Sequence, residues 1–143
     1  EVRGYQPSRT ATFNPRLNGY KLHAGDLATI RVEPGESTRR AVPSRTALKR
    51  WDVSIPLTGK AMALAGDVLF VAGTPVAFPE DDLAKGYEGR LGGILWAVSA
   101  STGEKLADYK LDAAPVWDSI AVAQGRLYIA TQDGNLHCFA ERR

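Results

Sequence analysis

An internal repeat restricts the folds open to this chain more than any other feature. When the sequence is shifted by 58 residues, segment 63–72 lies over segment 121–130, and apolar positions coincide along both segments. The turn-forming pair Gly66-Asp67 then lies over Gln124-Gly125. Such a pair between two short apolar runs predicts a tight β-hairpin, because these residues tolerate the positive φ of the turn. A unit that recurs in this way predicts a repeat architecture.

The two copies differ by an insertion. Beyond the second strand of each copy the shift falls from 58 to 41, so that Gly93 lies over Gly134 and Val98 over Phe139. The first copy therefore carries an insertion at 74–92, and without it the unit is about 41 residues, near the blade length of four-stranded β-propellers. The alternative is a chance alignment of unrelated hairpins, but four successive strands match in order.

The repeat predicts the strands of successive blades. Residues 48–55 alternate apolar and polar side chains and would be the last strand of one blade. The next blade would use 61–65, 68–73, 93–99 and 105–111, and a further blade 116–123, 126–131 and 135–140. We therefore predict an all-β chain, a β-propeller segment of four-stranded antiparallel blades, with about two to three blades in an incomplete ring. A last blade without its fourth strand fits the closure in which the N-terminal part of a propeller supplies that strand.

The sequence divides at about residue 46. We interpret 1–46 as an N-terminal segment with a possible partial blade, in which 20–22 and 27–30 could form a hairpin, followed by a long loop rich in Pro, Gly, Ser and Arg. Residues 47–143 hold the predicted blades. The chain begins at Glu1 and its only methionine is Met62, which we take to indicate a processed or truncated piece of a larger protein.

Composition excludes several classes of function. The formal net charge of +2, with scattered basic residues, does not predict a nucleic-acid partner. No apolar run approaches the ~18 residues of a transmembrane segment. The single Cys138 excludes an internal disulfide. The acidic residues 80–82 do not have the spacing of a calcium loop, so a solvated loop is favoured and no metal site is predicted.

Two segments resemble the pyrroloquinoline-quinone-type (PQQ-like) propeller repeat. They are residues 93–103, GILWAVSASTG, and residues 125–136, GRLYIATQDGNL. The resemblance covers about 48–143 and implies the C-terminal blades of a larger bacterial exported protein, periplasmic or secreted. In quinoprotein enzymes the Asp and Trp of the repeat tie neighbouring blades together. Here Ser99 and Ala107 occupy those positions while Thr102 and Gly103 remain, so the resemblance does not predict tight docking at this blade.

The leading functional hypothesis is a non-catalytic structural or interaction platform, whose partner is the remainder of the propeller or another protein subunit. It assigns no catalytic residue and no cofactor. One alternative is the C-terminal part of a quinone-dependent dehydrogenase, with PQQ and calcium as cofactors and its catalytic residues upstream. The other is a carbohydrate-handling propeller with aromatic residues facing the funnel. Whether the whole protein is an enzyme is left open, and for this segment we favour that it is not.

A few residues are candidates for a site or for the core. Trp117 and Asp118 begin an innermost strand, where they could line a ligand pocket, although Asp118 could instead cap the turn at 114–115. Alternation places His137 and Cys138 on opposite faces of one strand, predicting a packed thiol and a half-exposed imidazole. The residues predicted to form the core are Trp96, Val98, Leu127 and Ile129.

Overall fold

The computed structural model describes residues 2–3, 20–25, 49–76 and 83–140, which form three antiparallel sheets. Sheet 1 contains β1 (Val2–Arg3), β2 (Tyr20–Gly25) and β3 (Lys49–Ile55), in that order. Sheet 2 contains β4 (Ala61–Ala65), β5 (Val68–Gly73), β6 (Gly93–Ser99) and β7 (Lys105–Leu111). Sheet 3 contains β8 (Pro115–Ala123), β9 (Arg126–Thr131) and β10 (Leu136–Ala140). The one helix of the described part, α1 (Leu83–Tyr87), has five residues, so the predicted all-β class is confirmed.

The strands of sheets 2 and 3 lie where the repeat predicts them, to within a residue. Both β4–β5 and β8–β9 close through two-residue turns, with Ala65 opposite Val68 and Ala123 opposite Arg126. In the first turn φ is positive only at Gly66, the pattern of a type II′ turn, whereas Gln124 (φ 51°) and Gly125 (φ 70°) give the type I′ pattern. Both types follow the right-handed twist of the strands that they join.

Sheet 1 differs from the sequence interpretation. The sequence allows a hairpin of 20–22 with 27–30, but β2 pairs directly with β3, with Leu22 opposite Val53, and β1 pairs with the other edge of β2. Residues 27–30 lie outside the described residues. This pairing places Leu22, which is buried, on the same face as the apolar residues of β3.

The three sheets pack face to face around two apolar cores. Leu22 and Ile55 of sheet 1 meet Leu69, Val71 and Val98 of sheet 2. The opposite face of sheet 2 meets sheet 3 in a second core formed by Ala72, Leu95, Leu111, Leu127 and Ile129. The predicted core positions Val98, Leu127 and Ile129 are therefore confirmed, while Trp96 is half-buried at the border of the first core.

Sheets 2 and 3 each turn the same face toward the sheet that precedes them in the chain. Leu69 and Val71 of β5 point to sheet 1, and Leu127 and Ile129, their equivalents in the repeat, point to sheet 2. Sheets 2 and 3 also meet through their first strands, where the Asp118 N–H donates to the Lys60 carbonyl at 3.2 Å. The stacking relation of sheet 2 on sheet 1 is thus repeated by sheet 3 on sheet 2.

The insertion at 74–92 is more structured at its end than a plain surface loop. It contains α1, and after it Gly89 (φ 73°) and Gly92 (φ 77°) are buried. A methyl group at Gly92 would lie 2.5 Å from the Leu111 carbonyl oxygen, so only glycine fits there. The sequence did not predict this packed end. Residues 77–82, which include the acidic triplet, lie outside the described residues.

Candidate functional site

A cleft of about 470 Å³ opens where the three sheets converge. The residues that line it come from all three sheets: Tyr20, Lys21, Leu22, Ile55, Gly59, Lys60, Ala61, Met62, Val71, Trp117 and Asp118. Leu22, Ile55 and Val71 are also members of the core between sheets 1 and 2, so the cleft has an apolar floor. Its polar and aromatic groups are Tyr20 and Lys21 of β2, Lys60 just before β4, and Trp117 and Asp118 of β8.

An irregularity in β8 brings Trp117 and Asp118 to the cleft. Pro115 pairs with Thr131 and Ile120 pairs with Ile129, so four residues of β8 oppose one residue of β9. Bulges of this kind bend a strand and redirect its side chains. Within the bulge Asp118 has φ 53°, a left-handed conformation that costs a non-glycine residue about 1 kcal/mol or more.

Sheet 2 has a smaller bulge at the equivalent place. Leu57 pairs with Pro75 and Ala61 with Ala72, so three residues of the first segment oppose two of the second. The extra residues include Gly59 and Lys60, which the shift of 58 places over Trp117 and Asp118. The cleft is therefore built from equivalent irregularities at the start of two successive sheets.

Three charged residues line the cleft, and two of them, Lys60 and Asp118, carry opposite charges that are not paired with each other. Within the described part of the chain, neither Lys60 nor Asp118 takes part in an ion pair, whereas Lys21 lies 3.6 Å from an Asp52 carboxylate oxygen. The Lys60 ammonium lies 5.9 Å from the centre of the Trp117 ring, at the limit of a cation–π contact. Partial burial lowers the pKa of Lys60 from its usual 10.5, because desolvation disfavours the charged form.

The two residues predicted to bind a ligand, Trp117 and Asp118, both line this cleft, and the Trp117 side chain is 67% exposed. For the alternative role of Asp118 as a turn cap, no hydrogen bond within the described residues joins its carboxylate to the turn at 114–115, where the Ala114 carbonyl accepts one from the Gln132 N–H at 2.8 Å. Sequence reasoning missed Lys60. The signal was present in the repeat, which aligns Lys60 with Asp118.

Trp51 ties sheet 1 to sheet 2. Its indole N–H donates to the Ala100 carbonyl at 2.9 Å. Its ring covers Gly103 so closely that a methyl group there would lie 2.7 Å from Cε3 of the ring. The indole that packs on sheet 2 thus comes from β3 of sheet 1, whereas Ala107, at the position where the resemblance expects Trp, lies on β7.

The Asp67 carboxylate lies beside the position at which the PQQ-like repeat has its own Asp. Ser99 occupies that position and donates from Oγ to Asp67 Oδ2 at 3.2 Å. Ser101 donates to the same oxygen at 3.0 Å, and the two serine hydroxyls are 2.9 Å apart. Asp67, in the β4–β5 turn, thus anchors the β6–β7 turn that contacts Trp51.

The outer face of sheet 3 is apolar and uncovered within the described residues. It presents Tyr128, Ala130, Leu136 and Cys138, which pair across β9 and β10. Their equivalents in sheet 2 are Phe70, Ala72, Leu95 and Ala97, which face sheet 3. Leu95 is fully buried and Leu136 is 68% exposed, although they occupy the same position of the repeat.

The predicted environment of Cys138 is wrong. Its thiol is exposed on the outer face of sheet 3 rather than packed. His137 points to the opposite face, as alternation predicts, and is half-buried with Nε2 3.2 Å from the Thr131 hydroxyl. The error arises because β10 lies in an outermost sheet, where only one of its two faces is covered.

No group of three or more His, Cys, Asp or Glu side chains in the described ranges could hold a metal ion. In the same ranges no helix is long and apolar enough to cross a membrane. Searches of protein-family models, of curated proteins and of solved structures found no match to this chain.

Proposed function

We propose that this chain is a segment of a PQQ-like β-propeller that serves as a non-catalytic interaction platform within a larger protein or complex. The observation that carries the proposal is the outer face of sheet 3. Its apolar residues repeat those that sheet 2 buries against sheet 3, and an exposed contiguous apolar face marks an interaction surface. The partner that matches it is a further sheet of the same repeat, from the remainder of the propeller or from another subunit.

The mutual arrangement of the three sheets supports a propeller. They follow one another along the chain, and each turns equivalent residues toward its predecessor. Their first strands meet at one edge through the Asp118–Lys60 hydrogen bond. Trp51 and Gly103 join successive sheets at the other edge, as the family resemblance expects of neighbouring blades. Radial repetition of such units builds a propeller.

The edge of β10 supports the same proposal. In sheet 2 the fourth strand, β7, pairs with β6. In sheet 3 no described strand occupies the equivalent place beside β10. An open strand edge offers unpaired backbone groups to another strand. A partner that covers the face of sheet 3 and adds a strand to β10 would complete a blade. Export to the periplasm or the medium belongs to the proposal through the family resemblance alone.

Sedimentation of the 143-residue chain over a range of concentrations tests the platform. We expect the exposed face to drive concentration-dependent self-association and to bind a hydrophobic dye. Leu136→Lys should abolish both, because it replaces the most exposed apolar side chain of the face by a charged one. Leu106→Lys is the matched control, since Leu106 is 54% exposed on β7, away from this face. A wild-type chain that stays monomeric and binds no dye would contradict the proposal.

A further inference from the structure

The cleft combines three kinds of group in one place. Lys60 supplies a cation, Asp118 supplies an anion, and Leu22, Ile55 and Val71 form an apolar floor. Lys21, the second cation of the lining, is paired with Asp52 at 3.6 Å. The two charges occupy equivalent repeat positions on successive sheets, yet no ion pair joins them. Two unpaired opposite charges beside an apolar surface complement a molecule that carries both charges and an apolar body.

The backbone at Asp118 is strained. Asp118 holds a left-handed conformation, and its N–H donates to the Lys60 carbonyl, which holds the backbones of the two residues next to each other. The next residue, Ser119, has a buried hydroxyl without a hydrogen-bond partner among the described residues. Strained backbone and unsatisfied polar groups in a native fold point to a functional requirement.

The backbone of Lys60, just before β4, is also held by hydrogen bonds. Its N–H donates to the carbonyls of Thr58 and Ala72, each at 2.9 Å, and its carbonyl accepts from Asp118. A side chain that starts from a fixed backbone loses less entropy when it binds a ligand. Partial burial also strengthens any attraction between its ammonium and an anionic group, since the local dielectric is lower than in water.

From this geometry we infer that the cleft binds a small zwitterion with an apolar side chain, of the α-amino-acid type. Its carboxylate is placed at Lys60, its ammonium at Asp118, and its apolar group over the floor of the cleft, with Trp117 at the rim. The site lies within three described sheets and does not depend on the proposed ring, so either proposal can fail without the other. A neutral sugar would leave both charges of the cleft unneutralised, so the carbohydrate alternative fits this cleft less well.

Three related molecules test the inference with the wild-type chain. L-phenylalanine carries both charges, L-phenylalaninamide lacks the carboxylate, and N-acetyl-L-phenylalanine lacks the ammonium. Binding is followed by nitrogen-15 NMR at the Trp117 indole and the Asp118 amide. We expect L-phenylalanine to bind with a Kd of about 1 mM. Each analogue should bind about five-fold more weakly, as the loss of a partly exposed ion pair predicts.

Two variants test which residue binds the carboxylate of the ligand and which binds its ammonium. Lys60→Gln should remove the preference for L-phenylalanine over its amide but keep the preference over the N-acetyl compound. Asp118→Asn should do the reverse, and Asn tolerates the left-handed conformation at this position. Lys60→Arg keeps the charge and should keep both preferences, which separates loss of charge from loss of folding. Lys110→Gln, exposed on β7, is the control and should change nothing.

Three outcomes would overturn the inference. One is that L-phenylalanine produces no saturable shift at Trp117 or Asp118. Another is that it binds no more tightly than the two analogues. The third is that its preference survives in both Lys60→Gln and Asp118→Asn while the variants remain folded by circular dichroism.

Discussion

Sheets 2 and 3 are two copies of one pattern in different surroundings. Sheet 2 has four strands and is covered on both faces, whereas sheet 3 has three described strands and is covered on one. Leu95 and Leu136 occupy the same place in the two copies, one fully buried and the other 68% exposed. The repeat therefore specifies which positions carry apolar side chains, and the presence of a neighbouring sheet decides whether those side chains are buried.

The largest expected effect is the difference between the two equivalent leucines. Leu95→Ala should lower the free energy of unfolding by about 2–5 kcal/mol, because it removes buried apolar surface and leaves a cavity. Leu136→Ala should change it by no more than ~0.5 kcal/mol, since the side chain is mostly in solvent. Urea denaturation measures both. Equal losses for the two variants would mean that the outer face of sheet 3 is covered in the isolated chain.

Two glycine-to-alanine substitutions test whether the contact with the Trp51 indole stabilises the fold. Gly103→Ala should destabilise the protein by about 2–4 kcal/mol, from the positive φ of 79° and from the contact with the indole. Gly125→Ala has a similar φ of 70° but nothing within 4 Å of the added methyl group, so it should cost only about 1 kcal/mol.

The difference between these two variants isolates the contact between sheets. In the background Trp51→Ala, the extra loss caused by Gly103→Ala should shrink toward that of Gly125→Ala. An unchanged difference in this double-variant cycle would show that the indole contact does not hold sheet 1 on sheet 2.

The smallest effect concerns the insertion that distinguishes the two copies. Replacing residues 77–88 by a short Gly-Ser linker should change the free energy of unfolding by no more than about 1 kcal/mol, because loop-closure entropy depends weakly on length. Gly89 and Gly92 are kept, since they pack against the segment at 111–114. Thermal melting followed by circular dichroism measures the change. Loss of cooperative melting would show that the insertion, and not the repeated strands alone, stabilises sheet 2.

The strands could be predicted from the sequence because their signals are local. Alternation in Leu127 to Thr131 and the turn at Gln124-Gly125 need no distant partner to be recognised. The candidate site could be predicted only in part. Trp117 and Asp118 follow from their place at the start of a repeated strand, but Lys60 lies 58 residues earlier and meets them only when two sheets pack.

Four features follow from the amino-acid sequence alone: the all-β class, the bounds of the repeated strands, the turn positions and the alternation of side chains along each strand. These features depend on φ preferences and on the two-residue period of a strand, which act over a few residues. Three other features appear only in the folded structure: the Trp51 indole covers Gly103, Cys138 is exposed, and Lys60 and Asp118 line one cleft. Each of these depends on how one sheet stacks on the next, and the free energy of that packing comes from contacts between residues that are far apart in the chain.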